Sequence, residues 1–146
     1  MTQQPEMIRR KHAVEATQAR FAGKPFAWGR VDCAQLAAAH LQHFGWAVPK
    51  VARYRTKAQA RARLQALGTP TMADLADSIG MVRIAPAAAL LGDLCFLNGN
   101  GPMGALAIAL GNGALLSFDS QHEGLVVIKH EPPLAAWRAV RDGEPG

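Results

Sequence analysis

The sequence predicts an α+β domain in which N-terminal helices pack on a C-terminal antiparallel sheet of about five strands. Two observations predict it. Roughly the first eighty residues divide into capped, glycine-terminated segments with helical apolar spacing, and the remainder divides into short apolar runs separated by glycine and asparagine turns. With 146 residues, of which 49% are hydrophobic, there is material for one buried core, and residues 1–146 are read as one domain. Within it a helix occupies the segment 1–22, and 139–146 forms a loose tail.

The first helix runs from Met7 to Phe21, with Ile8, Ala13, Ala16 and Phe21 as its inward positions. Gly23 and Pro25 end it. The second has the clearest start: Asp32 stands at the N-cap with Gln35 three residues on, the spacing of a capping box, and Cys33 takes the first helical position. Leu36, Ala37, His40, Leu41 and Phe44 then repeat at three and four, so one stripe faces a core, and Gly45 closes the helix. The third carries "KAQARARLQAL" behind a Thr56 cap and stops at Gly68. The fourth, "TMADLADSIG", is capped by Thr71 or Thr69 and stops at Gly80.

"DLCFL", "ALAIAL", "ALLSF" and "LVVIK" read as consecutive antiparallel strands joined by "NGNGPMG", "GNG" and "DSQHEG", and "AAWRAV" as a fifth that closes the sheet. The Gly92-Asp93 pair at a strand entrance makes a turn in which the carboxylate caps backbone N–H groups. Cys95, on that strand, is buried. Trp28, Trp46 and Trp137 each bury large area, and the 98–104 loop is either a lid or a contact for another subunit.

Composition narrows the function classes. No apolar run reaches the roughly 18 residues that span a bilayer, and the N-terminus lacks the apolar segment of a signal peptide, so membrane insertion is not expected and the cytoplasm is the expected folding compartment. Two cysteines in no ligand-pair spacing argue against a disulfide framework or a structural zinc, and no cofactor is expected. His40 and His43 have a metal-sharing offset without a third ligand. The net charge is +5; the basic residues are spread along the chain, from "IRRKH" at the start to scattered singletons, with one cluster at Arg53, Arg55, Lys57, Arg61 and Arg63. Without a nucleic-acid motif beside it, this cluster reads as a solvated helix face or a protein contact.

Cys33 is the candidate nucleophile. A helix N-terminus lowers a thiol pKa, and Asp32 opposes this unless its charge is absorbed in capping. The alternative is a small hydrophobe on an apolar stripe. The run "FAWGRVDCAQLAAAHL", followed by "GDLCFL" and "ALAIALGNGALLSF", resembles the nucleophile motif and following strands of the NlpC-type cell-wall peptidases, which are papain-like cysteine hydrolases. It is closer still to a set of small proteins of tailed-phage tail-tip gene clusters that share "WGRxDCA", "YRT", "GD" and "WR" segments, here Trp28 to Ala34, Tyr54 to Thr56, Gly92-Asp93 and Trp137-Arg138.

The resemblance implies a papain-like single domain with a pocket at Trp28, Gly29, Asp32 and Ala105. It places Ala105 where those peptidases carry the histidine base, and Ser117 at the third position of the triad. His122, in the loop "DSQHEG", is the candidate substitute base, because His40 lies about 10.5 Å along the helix from Cys33. His130 and His12 read as solvated.

The expected role is therefore that of a tail-tip or tail-assembly protein with a degenerate peptidase fold, made in the host cytoplasm and carried in the virion tail tip. Its expected partners are other tail-tip proteins. The alternatives are an active cysteine hydrolase of peptidoglycan stem peptides that serves DNA entry and, more weakly, nucleic-acid binding through 53–63.

Overall fold

Four helices precede six strands in the computed structural model, which describes residues 5–49, 52–99, 101–118 and 124–141. The helices are α1 (Glu6–Phe21), α2 (Cys33–Gln42), α3 (Lys57–Ala66) and α4 (Met72–Ser78). The strands are β1 (Arg83–Ile84), β2 (Leu94–Leu97), β3 (Ala105–Ala109), β4 (Leu115–Phe118), β5 (Leu125–Ile128) and β6 (Ala135–Trp137), with a short 3-10 turn at Pro86–Ala88. All the pairings are antiparallel, in the order β1-β6-β2-β3-β4-β5.

The sheet departs from the expected meander in two ways. After β5 the chain crosses back so that β6 pairs with β2, through Leu94↔Trp137 and Cys95↔Ala136. The sixth strand, β1, then adds to the free side of β6. Two residues carry no alternating pattern, so β1 was not legible locally. What holds it is long-range: the Arg83 guanidinium pairs with Asp77 of α4 at 2.7 Å and lies 5.3 Å over the Trp137 ring.

The helices cover one face of the sheet. Leu36 and Ala39 of α2 pack with Val14 and Phe21 of α1 on Ile108, Leu116 and Phe118, while α3 and α4 close over Leu94, Leu106 and Trp137. All three caps form where the sequence places them: Asp32, Thr56 and Thr71 accept from the backbone N–H three residues on. Only at Thr71 is the reciprocal bond also present, with Asp74. The inward face of α1 differs from expectation. Ile8 is 45% exposed and Ala16 is exposed, whereas Arg10, Ala13, Val14, Thr17 and Phe21 are buried. A helical period counted back from Phe21 reaches Arg10, and that register wins because Arg10 has a buried partner on the sheet.

That partner is Asp93. Its Oδ1 accepts from Arg10 at 2.8 Å and from the Ala139 N–H at 2.8 Å, and its Oδ2 accepts from Arg138 at 2.8 Å and from the Leu90 N–H at 2.9 Å. One carboxylate thus ties α1, the entrance of β2 and the chain after β6. The loose tail expected from 139 is corrected accordingly: Ala139 is buried, and Arg141 bonds the Gly45 carbonyl and lies over Trp46. Residues 142–146 lie outside the described residues. Cys95 is buried as expected. Among the described residues no helix is long and apolar enough to cross a membrane.

Candidate functional site

A tight hairpin delivers the cysteine. Ala27 and Val31 exchange both backbone bonds, at 2.9 and 2.8 Å, and Gly29 turns the corner at φ +81°. A Cβ on Gly29 would run into the Tyr54 carbonyl, so the position needs glycine for both its dihedral and its clearance. The hairpin hands the chain to Asp32, whose carboxylate is fully engaged. Oδ1 accepts from the Gln35 N–H at 2.9 Å, and Oδ2 accepts from the Gly29 N–H at 2.9 Å and the Tyr54 hydroxyl at 2.8 Å. Cys33 follows as the first residue of α2.

Cys33 opens on a cavity of about 360 Å³. Its walls include Phe26, Trp28, Tyr54, Met72, Met103 and Ala105, with Lys57 and Glu131 among the charged lining groups. Asp32 and Ser117 also reach it, while Gly29 shapes the hairpin behind the wall. Trp28 is both wall and anchor, since its ring meets Phe26 edge to face at 5.0 Å. The described part of the 98–104 loop builds one side of the cavity and is tied to α4 by Met72 N–H donating to the Met103 carbonyl at 2.9 Å.

The surroundings of the thiol disfavour its ionisation. Burial pushes it up to about 12, and the Asp32 charge adds to the rise despite the capping bonds. The backbone N–H groups of Leu106, Cys33 and Ala34 pull the other way and do not win. Desolvation of a thiolate thus works against the lowering expected from the helix terminus and outweighs the amides that face it. The Tyr54 hydroxyl is likewise raised, by burial and then by Asp32, and stays a proton donor.

Three of the sequence candidates do meet. Ala105, at the head of β3, lines the cavity next to Leu106, whose amide reaches the thiol. Ser117 lies one strand over, but its hydroxyl donates to the Leu106 carbonyl at 2.8 Å, so it is satisfied by backbone rather than poised toward a base. His122 lies outside the described residues. Among the described residues no histidine lines the cavity. His40 is buried under α1, bonded to Thr17 and Gly92, and His12, His43 and His130 are exposed. No group of three His, Cys, Asp or Glu side chains among the described residues is placed to hold a metal.

Tyr54 was visible in the sequence only as part of "YRT", and nothing local signalled that it locks Asp32. The two methionines and Lys57 were equally silent, because α3, α4 and the 98–104 loop converge only in three dimensions. What the site offers is a protonated thiol, several amide donors and an apolar recess, without a positioned proton acceptor among the described residues.

The fold is that of known hydrolases. A crystal structure of the NlpC/p60 domain of the peptidoglycan hydrolase SagA superposes with a TM-score of 0.56 at 21% identity, covering 87% of this chain and 97% of that one. The peptidoglycan hydrolase RipB from Mycobacterium tuberculosis gives 0.58 at 19% identity, covering 94% of this chain and 69% of that one. No curated protein matches the sequence. Residues 7–139 match a family model described as Domain of unknown function (DUF6950).

Proposed function

We propose, for a chain that belongs to the DUF6950 family, the role of a non-hydrolytic component of a tailed-phage tail tip that acts through protein contacts on a peptidase-like fold. The observation that carries the loss of hydrolysis is Ala105 at the head of β3, beside the amide that meets Cys33. Enzymes of this design use an imidazole twice, to take the thiol proton and to protonate the leaving amine. Alanine does neither. Burial keeps the thiol protonated at neutral pH, so in this reading self-ionisation does not replace the base.

The phage context rests on four sequence segments, and their contacts support reading them as one unit. Asp32 of "WGRVDCA" bonds Tyr54 of "YRT", and Asp93 of "GD" pairs with Arg138 of "WR". The protein would be made in the host cytoplasm and end in the virion.

Incubation with purified peptidoglycan, beside a Cys33→Ala control, is expected to release no stem peptides. An antibody against the chain should decorate the tail tips of virions that encode it. Cleavage that disappears in Cys33→Ala would instead favour an active hydrolase whose base is His122 or a residue of a partner.

A further inference from the structure

We infer that the cavity beside Cys33 is the docking groove for a segment of a partner protein that carries apolar side chains flanked by acidic ones. The inference rests on the non-hydrolytic reading above and names the chemistry of the partner. Two independent features meet at this groove.

The first is charge. Between Asp32 and Asp74 the sequence has no acidic residue, while Arg53, Arg55, Lys57 and Arg61 are exposed. Helix α3 turns Ala60 and Leu64 into the cavity and brings Lys57 to its wall, so the positive field of this segment lies along one side of the opening. The carboxylates on the lining are Asp32, whose oxygens already accept three hydrogen bonds, and Glu131, which comes from the segment between β5 and β6. Cys33 adds no negative charge while its thiol stays protonated. An acidic flank is therefore attracted on the α3 side and repelled at Glu131, which fixes which way the segment lies.

The second is shape and polarity. Leu64, Met72, Leu75 and Met103 line the recess, and its volume of about 360 Å³ is within the range of sites that take small ligands or a few side chains. Methionines adapt to leucine, isoleucine or methionine alike, which suits a protein segment better than a single rigid ligand. Nucleic acid fits less well. A strand binder needs free aromatic faces on which bases stack, and here Trp28 is packed against Phe26, and Phe118 meets Phe21 at 5.6 Å.

Fluorescence anisotropy on the full chain tests this with three labelled probes: a dodecapeptide with a Leu-Met-Leu centre flanked by glutamates, its lysine-flanked counterpart, and a thymidine dodecamer. The glutamate peptide should bind at least about tenfold tighter than the lysine peptide, and more weakly as salt rises. Lys57→Glu should weaken it about tenfold and Glu131→Gln should tighten it a few-fold. Both residues are exposed, so both variants should keep the wild-type circular dichroism. Met103→Trp, which fills the recess, should abolish binding.

Equal affinity for the two peptides would overturn the inference, as would indifference to both charge changes or tighter binding of the oligonucleotide. Any of these results without peptidoglycan cleavage leaves the non-hydrolytic reading standing and removes only the groove. Cleavage dependent on Cys33 removes the reading itself.

Discussion

At the scale of single residues, the site turns on what stands at 105. Replacing Ala105 with histidine puts an imidazole on the cavity wall beside the amide that faces Cys33. Alkylation by iodoacetamide at pH 7 should then rise by on the order of tenfold or more, and Ala105→Gln should leave it unchanged. No gain with histidine would mean that position 105 does not address the thiol. That Cys33, Ala105 and Ser117 come together at one cavity was readable in the sequence, because a linear motif records them at fixed offsets. The ionisation state of Cys33 was not. It depends on desolvation by walls that come from α3, α4 and the loop before β3, which no neighbour in sequence reports. Tyr54 escaped for the same reason: its hydroxyl serves an aspartate 22 residues earlier.

Among the elements, helix starts and the β2-β3-β4-β5 meander were legible, and the placement of β6 and β1 was not. Capping is a local bond, so Asp32, Thr56 and Thr71 announced themselves, whereas the β6 to β2 pairing spans about forty residues and has no local signature. The face of α1 was misread because Arg10, a residue normally solvated, is drawn inside by a carboxylate 83 positions away. The hairpin before α2 makes a prediction of its own. Gly29 and Gly23 both have positive φ, but only Gly29 faces an obstruction, the Tyr54 carbonyl. Gly23→Ala should cost about 1 kcal/mol in urea denaturation, the backbone penalty alone. Gly29→Ala should cost at least twice that, since the carbonyl must also move. Equal losses would show that the hairpin does not press on Tyr54.

Over the whole molecule, His40 couples stability to acid. It lies buried with Nε2–H donating to the Gly92 carbonyl at 2.8 Å and Nδ1 2.9 Å from the Thr17 hydroxyl, and burial lowers it to about 4. The positive charges of His43 and Arg10 push in the same direction, while the carbonyls of Gly92 and Ala13 oppose them. The unfolded chain therefore takes up a proton near the ordinary value of 6.5 that the folded chain refuses until about 4. Stability from this group is complete above 6.5 and falls as pH drops toward 4, by on the order of 3 kcal/mol. Urea midpoints should decline across that window, and the decline should flatten in His40→Gln. An unchanged slope would assign it to other groups. The strand order carries a further consequence, for the order of assembly in time. Because β6 is inserted between β1 and β2, β1 has no partner strand and β2 is paired on one side only, with β3, until residues 135–137 arrive. The late segment acts as a keystone: a nascent chain that stops short of it presents two unsealed edges, and the sheet can close only as one of the final events of folding.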